Sequence, residues 1–435
     1  MDLGNVLHYV ENELEIDITM NDFSSFFKNV AEIEANNYVL IGEDNLVYKF
    51  KGPKNLTIKF AVEIDKPSLI KPDYTNSLIN IVASFKKYYH KETNVNSIEE
   101  LDDILKTKYK HIMFLILDGM GANMVNNILD EDDFLRKHFL KTISALYPST
   151  TACAIPASKS GLIAYDTGWL GWNNYFTDLK KSLVLFTGND YYTGEPTGID
   201  IRKQFLPYDS FFENLGVKYY ELEPDFVPNG HKTFRDLLHK FKKITYESEP
   251  SFTYAYWNEP DSSFHKNGVY SNESKSVLKN ISLELENISS QLNDETLIVI
   301  TADHGHKDTM TIPLYEFKEL NHMLEHEPSN ESRALCFKVK QEYKEEFPRL
   351  FNRYFNSIYK LYTKDEFIKE GFLGKTSGKI NHYLDEFLGD FIAVALSNYS
   401  FKYYINSPNF KAEHSGLTKP EMETPLIIFT KKRKA

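Results

Sequence analysis

At 435 residues with 42% hydrophobic side chains, the chain can build one large core with insertions or two domains. Its 50 basic residues face 62 acidic ones, a formal net charge of −12, which argues against a partner read through nucleic-acid backbone but not against a small phosphorylated substrate. Two cysteines, Cys153 and Cys336, are too few for a disulfide framework and fit a reducing compartment.

The segment Met1–Leu14 is acidic and lacks the apolar centre of a secretory leader. No run approaches the roughly 20 apolar residues of a membrane span. The expectation is a soluble cytoplasmic chain with neither membrane nor nucleic-acid polymer as partner. Residues 1–70 read as an extension with no assigned role. A helix is expected over Asn21–Ile33, then strands at Tyr38–Ile41, Leu46–Phe50 and Leu56–Val62, closed by Lys-Pro pairs at 66–67 and 71–72.

Beyond residue 70 the pattern becomes alternating strands and helices. Ile112–Leu117, Phe252–Trp257, Leu297–Thr301 and Leu426–Phe429 are continuous apolar runs, as in strands buried on both faces of a parallel sheet. Between two of them Val277, Ile281, Leu285, Ile288 and Leu292 line one face of a helix. Such units predict an α/β fold with a mostly parallel central sheet flanked by helices, spanning 71–320 and 389–435. Residues 321–388 are charged and aromatic-rich. They predict a small inserted α+β subdomain with a strand at Ala334–Lys340 and helices over Glu345–Phe355 and Lys364–Glu370, walling the sheet's ligand-binding edge.

Chemistry-bearing residues follow those strands. Asp118-Gly119 comes directly after Leu117, Asp261 and His265 follow Trp257, Asp303-His304-Gly305 follows Thr301, and His414 lies in Glu413-His414-Ser415-Gly416. A carboxylate at a buried strand end is costly unless paired or bound to a cation. Three aspartates contribute −3, and two divalent cations leave a residual +1 for an alkoxide or a phosphate oxygen to cancel. Carboxylate with imidazole suits zinc, with manganese or ferrous iron as alternatives. Ser149, Thr150 and Thr151 are nucleophile candidates, since Thr151 opens an expected helix whose N-terminus favours anions. Cys153 reads as a small core residue, and His306 as a hydrogen-bonded or exposed side chain, or one that acts on the leaving group or rims the site. Trp169, Trp172, Tyr175, Phe176, Tyr191 and Tyr192 are core or stacking aromatics, and Lys159, Arg202 and Lys203 are candidate extra cations over a phosphate.

With these segments in place the chain resembles the alkaline phosphatase superfamily, and within it the nucleotide pyrophosphatase/phosphodiesterase branch. The run Glu259-Pro260-Asp261-Ser262-Ser263-x-His265 carries most of the likeness. Asp303-His304-Gly305 and His414-x-Gly416 with Pro425-Leu426-Ile427 add to it, over roughly residues 70–435. The resemblance implies one metal on Asp118, Asp303 and His304 and a second on Asp261, His265 and His414. It puts the family threonine on Thr151, with Gly161 and Gly168 at the matching spacing. The implied activity is hydrolysis of small phosphate diesters or nucleotide pyrophosphate bonds through a phosphothreonine. A phosphomonoesterase or phosphonate hydrolase on the same scaffold is the alternative, and a non-catalytic metal- and nucleotide-binding protein is another. Two positions depart from the family: Trp172 stands where an asparagine contacts phosphate, making Asn173 and Asn174 the substrate-binding candidates, and Thr167 replaces a histidine.

Overall fold

The computed structural model describes residues 69–431 apart from 357, 377 and 379, together with three earlier strands. Those strands, Phe27–Glu34, Asn37–Gly42 and Val47–Lys51, form an antiparallel sheet of their own. The helix expected over Asn21–Ile33 is therefore a strand from Phe27 onward. Pairing decides it: Glu34 meets Asn37 and Glu32 meets Tyr38 across a close antiparallel connection, and such pairing overrides a weak helical spacing. The expected strand Leu56–Val62 and the basic residues after Lys431 lie outside the described residues.

Six strands form the central sheet, in the order Phe139–Ser144, Glu423–Lys431, Thr296–Thr301, His111–Leu117, Ser251–Trp257 and Lys218–Leu222. The last four run parallel. Glu423–Lys431 opposes them, so the apolar run at Leu426–Phe429 is the sheet's antiparallel member. All seven residues of His111–Leu117 are buried. Ile112, Phe114 and Ile116 enter one apolar cluster while Met113, Leu115 and Leu117 enter another, as two-residue alternation requires of a sheet covered on both faces. Helices Leu78–Tyr88 and Thr151–Ser160 cover the first face. Asn272–Ser289, capped by the Ser271 hydroxyl accepting from Ser274 N, covers the second with Leu278, Ile281, Leu285 and Ile288.

A second, antiparallel sheet has the order Tyr359–Thr363, Phe391–Ala395, Ala334–Phe337, Ser329–Glu331, Asn173–Phe176 and Lys181–Val184. Residues 321–388 supply three of these strands. The hairpin Asn173–Val184 and the strand Phe391–Ala395 come from outside those bounds. Helices Glu346–Phe355 and Lys364–Glu370 form as the spacing predicts, and Phe347, Phe351 and Phe355 pack on Leu335, Phe337 and Phe391. Among the described residues no helix is long and apolar enough to cross a membrane.

Candidate metal centre and nucleophile

Register places the chemistry. Ile116 pairs with both Tyr256 and Thr301, so the three central strands end level and their following loops share one edge. The loops are stitched together: Asp118 N donates to Trp257 O and Asp261 N donates to Asp118 O, both at 3.0 Å. Gly119 adopts φ +72, and a Cβ there would lie 2.9 Å from Asp261 Cβ and His306 Cδ2, so no other residue fits. Its N–H donates to Asp303 Oδ1 at 3.0 Å.

All six expected ligands converge at this edge. Asp118, Asp261 and His304 present donor atoms within 4.8 Å of one another, and so do Asp261, His265, His306 and His414. Asp303 Oδ2 lies 3.5 Å from His304 Nε2. Three imidazoles are anchored through Nδ1–H: His265 to Ala412 O at 2.8 Å, His304 to Gly305 O at 3.0 Å and His414 to Ser149 O at 3.0 Å. A carbonyl acceptor fixes the proton on Nδ1 and leaves each Nε2 with a free lone pair, the form a metal ligand needs.

The electrostatics ask for a cation. Burial, with Asp303 and Asp261 alongside, holds the Asp118 carboxyl well above its ordinary range. Burial alone would raise Asp261 too, but His265 and His306 hold it below the carboxylate range. Burial and the neighbouring histidines push His414 far down. Asp303 Oδ2 is buried without a hydrogen-bond partner. An orphaned carboxylate oxygen among two further aspartates and several imidazoles fits the donor set of a divalent-cation centre.

Of the three hydroxyl candidates, Thr151 alone faces these groups. Its Oγ1 is 3.1 Å from His304 Nε2 and 3.3 and 3.4 Å from the Asp118 carboxylate oxygens. Ser149 donates to Gly416 O at 2.8 Å and Thr150 to Glu331 Oε1 at 2.6 Å. The Cys153 thiol is buried and pushed up to about 12, so it stays protonated in the core.

Several neighbours escape a reading of sequence. Tyr256 hydroxyl donates to Asp118 Oδ2. His306 is hydrogen-bonded, one of its expected readings, but neither exposed nor at the rim: it is fully buried inside the cluster with Nε2 2.6 Å from Asp261 Oδ1. Its one clue is its place two residues after His304. Arg333 and Glu421, both fully buried, pair at 2.6 Å, and Glu421 also accepts from Gly416 N at 2.8 Å, bracing the turn that carries His414.

Glu331 Oε1 accepts from Trp172 N at 2.7 Å as well as from Thr150, and burial pushes its carboxyl up to about 7. A folded-state value above the ordinary 4.5 means that the folded chain keeps a proton the unfolded chain has lost. The associated stability is complete below pH 4.5 and disappears as pH rises through about 7. Metal-free Glu331→Gln should therefore melt close to the wild type at low pH and above it in mild alkali. Thermal melts on both sides of neutrality check this, and a pH-independent difference would contradict it.

The other candidates have partners of their own. Asn173 Oδ1 accepts from Tyr403 hydroxyl at 2.8 Å and Asn174 Nδ2 donates to Gly171 O at 3.2 Å, while Asn173 Nδ2 and Asn174 Oδ1 are buried without a hydrogen-bond partner. Lys159 pairs with Glu223 at 2.9 Å, Arg202 donates to Tyr208 O at 3.2 Å and Lys203 pairs with Asp200 at 3.0 Å, so each is already engaged. Trp169 and Phe176 are core residues, Tyr175 stacks on His326, Tyr191 stacks on Tyr403, and Tyr192 donates to Pro328 O at 2.7 Å. Trp172 is 44% exposed beside Phe186, 41% exposed, with ring centroids 6.0 Å apart.

Comparison with known proteins identifies the family and the fold. Residues 112–417 match the model of the type I phosphodiesterase / nucleotide pyrophosphatase family. No curated protein sequence matches the chain. Among solved structures, murine ectonucleotide pyrophosphatase/phosphodiesterase 5 is similar with a TM-score of 0.55 and 16% identity, over 74% of this chain and 89% of that one. An inactive Thr-to-Ala variant of the murine protein, solved with AMP, aligns at 0.55 and 15% over the same shares. Phosphonoacetate hydrolase from Sinorhizobium meliloti, in complex with phosphonoformate, aligns at 0.54 and 13% identity over 74% of this chain and 90% of its own. By the family match and the shared α/β architecture, the chain belongs to the type I phosphodiesterase/nucleotide pyrophosphatase family of the alkaline phosphatase superfamily, a family of metal-dependent hydrolases.

Proposed function

We propose that this enzyme hydrolyses small phosphate diesters or nucleotide pyrophosphate bonds with Thr151 as nucleophile. The observation that carries the proposal is the position of Thr151 Oγ1, within 3.4 Å of both Asp118 and His304 while its neighbours' hydroxyls turn elsewhere. Asp118, Asp303 and His304 would hold one divalent cation and Asp261, His265 and His414 the other, zinc in our assignment with manganese as the alternative. Such a pair supplies Lewis-acid charge that favours an alkoxide and neutralises charge developing on phosphate.

The chain's own residues do the rest. Thr151 Oγ1 bonds to phosphorus as the leaving group's bond to phosphorus breaks, giving a phosphothreonine that water then hydrolyses, with net retention. Tyr256 orients Asp118 through its hydroxyl. Trp172 and Phe186, exposed side by side, offer a surface for a planar leaving group such as a nucleobase. The AMP complex of the murine relative supports a nucleotide, and the engagement of Lys159, Arg202 and Lys203 elsewhere disfavours dianionic monoesters.

Initial rates on p-nitrophenyl phosphate, its bis ester and a dinucleotide test the reading. Either diester should exceed the monoester by about tenfold or more, about 1.4 kcal/mol of transition-state preference. The reverse order would move the assignment to a monoesterase, and binding of both ions without turnover would leave a nucleotide-binding protein.

A further inference from the structure

His306 has no role in the two-metal assignment above, yet it occupies the middle of the imidazole cluster. Its ring centroid lies 4.5 Å from that of His265, 5.1 Å from His414 and 5.7 Å from His304. Its Nε2, at 2.6 Å from Asp261 Oδ1, is closer to that carboxylate than His265 Nε2 at 3.4 Å. Its other nitrogen, Nδ1, is buried with no hydrogen-bond partner, unlike the anchored Nδ1 atoms of His265, His304 and His414. The ring is thus held only by the atom that faces Asp261, and Phe264 and Gly119 close in on its sides. A fully buried imidazole that presents a ligand atom within 4.8 Å of those of Asp261, His265 and His414 is placed, as they are, to meet an ion.

We infer that His306 is a fourth protein ligand of the Asp261 cation, through Nε2, making that site Asp261, His265, His306 and His414. The inference rests on the two-cation reading above. Its consequence is an unequal pair of sites. Four protein donors fill a zinc tetrahedron, so that ion would meet a phosphate oxygen only by expanding to five donors, whereas three leave a position open from the start. The open site is the one beside Thr151, where Asp118, Asp303 and His304 supply the donors. The closed site holds its ion more tightly and releases it last to a chelator.

Zinc-loaded full-length protein, crystallised and measured at the zinc edge, tests this directly. Two anomalous peaks are expected, one with His306 Nε2 at about 2.0–2.1 Å. A peak seated on Asp261, His265 and His414, with His306 still hydrogen-bonded to Asp261, overturns the inference and leaves the two-cation reading intact. Fewer than two peaks overturns that reading itself. In solution, cobalt titration of His306→Gln separates ligation from mere positioning, because glutamine can still donate to Asp261. Ligation predicts an altered visible spectrum and a loss of affinity for one cobalt of more than about 100-fold, beyond the usual range of an outer-sphere change. A spectrum and affinity restored by glutamine would assign His306 to positioning instead.

Discussion

Thr151→Ala is expected to lower turnover of a diester by about 10,000-fold or more, the scale on which enzymes lose rate when a covalent nucleophile is removed. Metal content should remain at the wild-type value, because the proposed ligands are carboxylates and imidazoles held by backbone bonds independent of Thr151. His265, His304 and His414 lean on Ala412 O, Gly305 O and Ser149 O. Steady-state rates beside metal analysis of the same preparation check both halves. Full activity would transfer the nucleophile to Thr150 or Ser149. That would require Thr150 to leave Glu331 or Ser149 to leave Gly416 O. Loss of metal together with rate would mean that the hydroxyl is part of the cage.

Arg333→Met should destabilise the fold by about 3–5 kcal/mol, the cost of stranding one member of a buried ion pair. Arg333 meets Glu421 through Nε at 2.6 Å and Nη2 at 2.8 Å, and its guanidinium also serves the carbonyls of Tyr399 and Ser397. Without it, Glu421 keeps Gly416 N and Thr418 as donors but loses its hydrogen-bonded countercharge. The consequence reaches the metal centre, because Gly305 N donates to Glu421 O and Gly416 N to its side chain, so both ligand-bearing turns hang on this residue. Denaturant unfolding should show the loss, and zinc titration should show weaker binding. Combining Arg333→Met with Glu421→Met should recover part of the stability, as replacing a whole buried pair often does. An unchanged unfolding midpoint in the single variant would refute the bracing role.

The parts of the site that sequence made legible are those where local chemistry contradicts its surroundings. Asp118 and Asp303 stand out because each interrupts or follows an apolar strand, where an unpaired carboxylate is too costly to be incidental. Thr151 could be placed on a helix start but not told from Thr150 and Ser149 by residue type. Only the course of the backbone turns one hydroxyl inward. Glu331 and Arg333 were illegible for another reason. They sit in a charge-rich stretch where acidic and basic residues normally face water. Glu331 meets Thr150 across 181 residues of chain and Arg333 meets Glu421 across 88. Nothing in a linear pattern marks a charge that tertiary contact will bury. His306 lies in a loop, where no periodicity reveals which way a side chain points. The same limit applies to the fold: buried parallel strands announced themselves, while the strand Phe27–Glu34 depended on its neighbour and the second sheet borrowed a hairpin from far upstream.

The strand Glu423–Lys431 lies between Phe139–Ser144 and Thr296–Thr301, inside the sheet rather than at its rim. A chain emerging from the ribosome must therefore hold a gap in its main sheet until these residues arrive, with the edges of both flanking strands unpaired. His414 is delivered only nine residues before that insertion begins. Nascent chains halted before His414 would expose unpaired β-edges and lack the full cage, so capture of both ions waits until that residue and the strand after it have been made.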